Sequence, residues 1–208
     1  MGMIRNIDRL PLRERNKQRI YSRIVDAAFE LFRTTGFDAT TMDVIAEKAE
    51  VSRGTLFNYF PTKDSLLMPY ANELFNEYVQ PEVLSYLDTQ PTTLDAVRFL
   101  FMSIYEHVLA LPAIDRALRH EFFAPPPETK ACSNIGTGFF ETLVTIVRYG
   151  RQRGEIRDDI PLENLARYVG VLYVSLLYNG TEDEQSTPAQ YAVEVNTLLA
   201  FLRTALTR

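Results

Sequence analysis

Residues 40–66, TTMDVIAEKAEVSRGTLFNYFPTKDSL, leave this chain few ways to fold. Thr40 or Thr41 offers a side-chain oxygen to the free N–H groups of a helix start, and Asp43 puts negative charge in the first turn. Met42, Ile45, Ala46 and Ala49 then recur at helical spacing as one apolar stripe. The pattern stops at Glu50-Val51 and restarts at Ser52, a second good cap. Leu56 and Phe60 lie four apart on the new helix and can face the first one. Pro61 disfavours helix at Phe60 and ends it. Two short helices about three to four residues apart make a helix-turn-helix, placed at 41–60. In that motif the second helix lies in the major groove of DNA. Its N-terminal residues, here Ser52, Arg53, Gly54 and Thr55, then meet the bases.

The net charge of −5 argues against a nucleic-acid partner until its distribution is considered. Residues 1–63 carry eleven Lys/Arg against eight Asp/Glu, and residues 64–208 carry eleven against nineteen. Seven of those bases (Arg5, Arg9, Arg13, Arg15, Lys17, Arg19, Arg23) fall in the first 23 residues, beside Asp8 and Glu14 only. A basic leading part on an acidic remainder suits a DNA-reading head on a body that avoids DNA. Arginines that merely solvate a helix face would look the same without the motif. A hydrophobic content of 46% against 24% charged indicates a folded protein, and 208 residues can bury a proper core. No apolar run approaches the roughly 20 residues that span a bilayer, and the first 17 residues lack a signal-type apolar core. A single cysteine, Cys132, excludes an internal disulfide and the usual structural zinc sites. A cytoplasmic protein fits these features.

Residues 1–14, basic and containing Pro11, read as a loose arm that either lies along DNA or stays frayed without touching it. A helix follows from about Asn16 to Thr35, with Ile20, Ile24, Ala27, Ala28 and Leu31 in one stripe and Phe32 beside it. Gly36 is placed to end it.

The order of elements now becomes specific. It runs from a long helix to Gly36-Phe37, Thr41, Ile45-Ala46, Ala49 and Val51-Ser52, and on through Gly54-Thr55-Leu56-Phe57 and Tyr59-Phe60 to Lys63 and Leu66. Over these roughly 50 residues the chain resembles the TetR family of bacterial transcriptional regulators. Glu50 departs from the glycine that the family often has in its turn. A left-handed backbone there costs a non-glycine residue about 1–2 kcal/mol. The resemblance implies an all-α fold, with a three-helix head carrying the helix-turn-helix and a C-terminal helical bundle for ligand binding and dimerisation. The head is placed at 1–62 and the body at 63–208.

Within the head, the Thr40 and Thr41 hydroxyls suit phosphate oxygens. Arg53 can pair with guanine O6 and N7 or with a phosphate, and Thr55 can meet a thymine methyl or a base edge. Gly54 leaves room for the DNA backbone, and Asn58 can take adenine or phosphate. Tyr59 offers a hydroxyl, and the resemblance points the Lys63 cation at a phosphate. Leu56, Phe57 and Phe60 read as core.

In the body, a helix is expected from about Lys63 to Gln80, with Pro69 bending it or marking its start near Met68. Residues 81–91 read as a proline-bounded junction. A helix apolar nearly all round follows from Thr92 or Thr93 to about Ala110, then a short one from Pro112 to about Phe123 and a loop containing Cys132. Helices at 135–152, 162–178 and 188–207 complete the chain. The last two carry Leu165, Val169, Leu172 and Leu176, and Tyr191, Val195, Leu198 and Leu202. These stripes either close their own core or meet a second copy; the homodimer is preferred, because a helix-turn-helix generally needs a partner to read a long site. The resemblance points the same way, and implies a small-molecule pocket in the body. Phe101, Tyr105, Phe122, Phe139, Phe140 and Tyr173 are the first candidates to line it, with Arg119 or Glu121 as polar anchors. The effector would be small and partly apolar or aromatic.

No catalytic grouping stands out, and no cofactor or metal is implied. His107 beside Glu106 and His120 beside Glu121 are not at zinc-ligand spacing, since adjacent helical residues do not share a face. The leading expectation is a homodimeric repressor released from a double-stranded DNA operator by its effector, with no membrane partner and no enzymatic activity. The alternatives are a helical carrier or enzyme with an accidental motif, which would not shift its own upstream DNA, and a protein–protein adaptor, which would be monomeric.

Overall fold

A computed structural model describes residues 11–115, 137–176 and 187–207. Nine α-helices occur among them, and no strand. The chain folds as two compact units, Met1–Tyr70 and Ala71–Arg208.

In the first unit α1 is Leu12–Thr34, α2 is Met42–Lys48 and α3 is Arg53–Tyr59. α1 begins four residues before its expected start, because Pro11, at φ −53°, sits directly ahead of it. A proline there gives up an N–H that the helix would leave unbonded anyway. Residues 12–14 therefore belong to α1 and not to a loose arm. Gly36 leaves the helix at φ +89°, a left-handed value that glycine adopts without strain. The three helices meet around Ile24, Ile45 and Leu56, all fully buried. Each contributes about 1.5–3 kcal/mol by leaving water. Val25 is buried too, while Leu31, expected in the stripe, is only half-buried. Phe32 packs edge-on against Phe37 at 5.1 Å and Tyr70 at 5.2 Å.

The turn between α2 and α3 closes by two reverse bonds, Glu50 N–H to Glu47 O and Val51 N–H to Ala46 O, both 3.0 Å. This double closure places the residue after the cap in the left-handed region, where glycine is usual. Here that residue is Glu50, at φ 50°. Arg23 of α1 stabilises it. One Nη of Arg23 donates to the Ala49 carbonyl, to Glu50 O at 2.9 Å and to Glu50 Oε2 at 3.2 Å. A cation on the last carbonyls of α2 also complements the negative end of that helix. A second cation braces the other turn. Lys63 Nζ donates to the carbonyls of Phe37 (2.7 Å), Thr40 (3.1 Å) and Asp38 (3.3 Å), and lies 4.2 Å from the centre of the Phe37 ring.

After a 3₁₀ turn at Asp64–Leu66, α4 is Leu67–Leu74 and spans the division between the units. Pro69 is tolerated because it lies in the first turn of α4. A π-helical turn, Phe75–Val79, leads into α5, Gln80–Asp88. The expected junction at 81–91 is thus mostly helix. The Gln80 N–H reaches back five residues to Phe75 O, and Pro81, with no N–H to give, falls in the next first turn.

α6, Thr93–Ile104, extends as a second π-helical turn, Tyr105–Leu109. It packs against α5, α7 (Thr137–Gln152) and α9 (Pro188–Leu206), while α8 (Leu162–Leu176) packs on α7. Val97, Leu100 and Phe101 are fully buried, as the all-round apolar pattern requires. The two π turns meet where Tyr78 stacks on His107, 5.4 Å between rings. His107 Nε2 lies 3.1 Å from both Glu82 oxygens, not against Glu106. Of the short helix expected from Pro112, only residues up to Asp115 are described, and they are helical. Helix α9 opens with a reciprocal cap between Thr187 and Gln190.

Leu165, Val169, Leu176, Tyr191, Val195, Leu198 and Leu202 are buried within this one chain, and Leu172 is half-buried. The expectation that they face a second copy is corrected: they close the core of their own subunit. The apolar residues that α8 and α9 turn outward are Tyr168, Val171, Val193 and Phe201, each more than half exposed.

Glu155 fixes a corner of this unit. Its Oε2 accepts the Thr93 N–H and hydroxyl, both 2.7 Å, and its Oε1 accepts Arg153 Nε at 2.8 Å. A remote carboxylate thereby satisfies an open N–H at the start of α6. Burial alone would raise the Glu155 pKa; hydrogen bonds from Arg153 and Thr93 outweigh it and hold the group below its ordinary 4.5. Helix α7 approaches this point closely, since a Cβ on Gly150 would come 2.1 Å from Thr93 Oγ1.

Two outcomes are expected. Arg23→Ala lowers stability in urea unfolding by about 1–3 kcal/mol, and Glu50→Gly in that background recovers about 1–2 kcal/mol; no recovery would contradict the compensation. A depressed carboxylate pKa contributes stability above its unfolded value and loses it as pH falls through the folded one. Stability should therefore drop below about pH 4.5, and drop less steeply in Glu155→Gln, as followed by thermal melts across pH.

Candidate nucleic-acid interface

Both caps of the motif form as its residue types require. Thr41 accepts the Val44 N–H at 3.3 Å, and Ser52 accepts the Thr55 N–H at 3.0 Å. With Leu56 and Phe60 buried against α1 and α2, α3 turns Arg53, Gly54, Phe57 and Asn58 outward. Thr55 is half-buried, its hydroxyl 2.8 Å from that of Ser52. A Cβ on Gly54 would meet nothing in the protein closer than Ser52 Oγ, at 3.9 Å. Internal packing does not require the glycine; an approaching external surface would.

Arg53 is oriented from two sides. Its Nε lies 3.1 Å from Asp43 Oδ1, and its guanidinium carbon 5.7 Å from the centre of the Phe57 ring. Phe57 corrects a sequence expectation. It is 37% exposed and forms part of the outer face, not of the core. The spacing held the signal: Phe57 is one residue past Leu56 and three before Phe60, off the line those two define on the helix.

Three expected contacts of the DNA-binding set are engaged within the protein. Thr40 is buried, 3% exposed, and its hydroxyl donates to Gly36 O at 2.7 Å, so of the two threonines only Thr41 is exposed. Lys63 spends its donors on the three carbonyls of the 37–40 turn and is a brace, where a phosphate ligand was expected. The single proton of the Tyr59 hydroxyl points at Lys17 O, 3.3 Å away. Exposed cations remain at the start of α1, where Arg13, Lys17 and Arg19 occur.

In the second unit four of the expected pocket residues, Phe101, Tyr105, Phe139 and Tyr173, join one aromatic cluster with Tyr191. Phe101 stacks on Tyr173 at 4.2 Å, Tyr173 meets Phe139 at 5.3 Å, and Tyr105 stacks on Tyr191 at 4.5 Å. Phe140 is half-buried on α7. Phe122, Arg119 and Glu121 lie outside the described residues, as does Cys132. The Tyr191 hydroxyl hydrogen-bonds the Tyr173 hydroxyl (2.9 Å) and the Phe101 carbonyl (3.1 Å), an internal use that its place in an apolar stripe does not reveal. Burial pushes both phenols up, so they stay neutral. Asp115, unremarked in the sequence, is buried, and its charge adds to the raised pKa of Tyr105 and Tyr173. An aspartate three positions after a helix-opening proline reads as solvent-facing, so no sequence signal marks it. No helix among the described residues is long and apolar enough to cross a membrane.

Comparison with known proteins agrees with the geometry of the head. Residues 24–68 match the family described as "Bacterial regulatory proteins, tetR family". The chain is similar to the uncharacterized HTH-type transcriptional regulator YdeS of Bacillus subtilis, 26% identical over 172 residues that cover 78% of this chain and 81% of the relative. It is also similar to the HTH-type transcriptional repressor KstR2 of Rhodococcus jostii, 27% identical over 150 residues, 70% of this chain and 72% of the relative. Among solved structures, FadR of Thermus thermophilus, a TetR-family transcriptional repressor crystallised with lauroyl-CoA, superposes with a TM-score of 0.66. That match has 29% identity and covers 87% of this chain and 92% of that one. With its caps, turn and outward α3 face in place over the matched residues, residues 24–68 form a DNA-binding head of the tetR type, and over most of its length the chain is similar to HTH-type transcriptional regulators.

Proposed function

We propose that the protein is a homodimeric repressor whose α3 helices read two successive major grooves of an operator, and that a small, largely apolar effector releases it. The observation that carries the DNA assignment is the outward face of α3. Arg53, Phe57 and Asn58 are exposed there around a glycine whose missing side chain serves no internal contact. Arg53 reads guanine, Asn58 and Thr55 read neighbouring base edges, and Ser52 holds the start of the helix. Thr41 bonds phosphate, and Tyr59 does so on leaving Lys17.

The second copy docks on the face that α8 and α9 turn outward, through Tyr168, Val171, Val193 and Phe201. The effector enters among Phe101, Tyr105, Phe139, Phe140 and Tyr173, parting rings that now stack on one another. The lauroyl-CoA held by the Thermus relative supports an effector with a long apolar part. An effector that favours one arrangement of the heads by 1–3 kcal/mol changes operator affinity about 5- to 150-fold.

Selection of duplexes from a randomised pool tests the reading. The wild-type protein should enrich one site, and Arg53→Ala should weaken binding to it about tenfold and relax its sequence preference. Enrichment indifferent to Arg53 would contradict a specific reader. Lys63→Ala should lower the melting temperature and leave the salt dependence of DNA binding unchanged; a slope shallower by about one would restore the phosphate role. Phe201→Asp should convert a dimer into a monomer in light scattering, and an intact dimer would move the interface elsewhere. Lauroyl-CoA added to the selected complex should release DNA; no effect of acyl-CoAs of any chain length would reject that effector class.

A further inference from the structure

We infer that Asp43 is a positioning residue that sets base specificity by holding Arg53 in its reading orientation; the inference rests on the DNA-reading assignment of α3. Asp43 lies in the first turn of α2, outside the helix that enters the groove, and both partners are largely exposed. Its Oδ1 forms an ion pair with Arg53, 3.1 Å from Nε, and Phe57, one turn along α3, lies beside the guanidinium. A free arginine side chain is among the costliest to order. Here one edge and one face of the guanidinium are already engaged. Among the described residues the two Nη groups have no protein partner, so the fork that pairs with guanine O6 and N7 is left open.

The charge of Asp43 makes the inference separable from a general effect on binding. A carboxylate on the surface that meets a polyanion weakens attraction to every duplex alike. Asp43 therefore lowers grip while it raises discrimination, and specificity is a difference of affinities that repulsion against the wrong site can widen. A residue acting only on fold stability would change both affinities in the same direction. A residue that merely neutralised Arg53 would, on removal, raise binding to all sequences by a similar factor.

The test uses the full-length protein with a duplex enriched by selection, copies of it carrying each base pair exchanged singly, and a shuffled duplex of the same composition. Asp43→Asn keeps the shape and removes the charge. Affinity for the shuffled duplex should rise about two- to threefold, with a salt slope steeper by up to one. Discrimination at the base pair that depends on Arg53 should fall about tenfold. In the Arg53→Ala background the same substitution should still raise general affinity but leave discrimination unchanged. Melting curves of each variant confirm that the head is folded, and Asp43→Ser, which keeps a capable helix-start residue, repeats the measurement if the asparagine variant melts early. Retained discrimination in the folded variants overturns the inference and leaves the DNA-reading assignment standing. A wild-type protein that enriches no duplex overturns both.

Discussion

The geometry of the head depends on a turn that its own sequence disfavours. Glu50 sits at φ 50°, where a side chain costs about 1–2 kcal/mol, and this residue sets the angle between α2 and α3. Arg23 offsets the cost from a different helix by donating to the carbonyls on either side of the Ala49–Glu50 step and to the Glu50 carboxylate. Charge-assisted bonds to main-chain oxygens are among the stronger ones a surface can make, even when partly wet. The pair makes the turn a fixed joint. The joint fixes how α3 is set against α2, and Leu56 and Phe60 fix which face of α3 turns inward.

Cations in the head divide into two sets by what they touch. Arg23 and Lys63 are turned to main-chain oxygens and hold the two turns, and Lys48 pairs with Glu30 across α1 and α2. Arg13, Lys17, Arg19 and Arg53 remain exposed. The basic excess of the leading residues is therefore only in part free at the surface. Since α1 begins at Leu12, several of the remaining cations are carried on a helix and have defined positions, which a loose arm would not give them. The second unit is acidic in sequence, with nineteen Asp/Glu against eleven Lys/Arg over residues 64–208.

Much of the head is legible in the sequence because its rules are local. Caps at Thr41 and Ser52, the stop at Pro61 and the special backbone at Glu50 are set by residues within a few positions of one another. What is not legible comes from bonds between distant residues. Lys63 reaches carbonyls 23 to 26 residues away, and nothing in its neighbourhood separates that use from a phosphate contact. The stripes of α8 and α9 fall where periodicity puts them along the chain, but periodicity reports that a face is covered and not by what. Their own subunit covers them, and the outward residues Tyr168, Val171, Val193 and Phe201 escape notice because they interrupt the stripe. Pro81 reads as a break because the π turn before it, which lets the helix accept a proline, has no sequence signature of its own. The aromatic content of the second unit is visible, but not its pairing into stacked rings with buried hydroxyls.

The proposed function assigns guanine reading from the major groove to Arg53, which α3 holds exposed beside Asp43 and Phe57. Methylation interference on a selected duplex isolates this contact, because N7 methylation blocks the major-groove edge of guanine and leaves the phosphates untouched. Methylation at a few guanines, repeated on two-fold related half-sites, should abolish binding by the wild-type protein, and Arg53→Ala should lose this sensitivity. Binding that is indifferent to N7 methylation everywhere in the site, yet blocked by ethylation of the phosphates, would contradict guanine reading by α3.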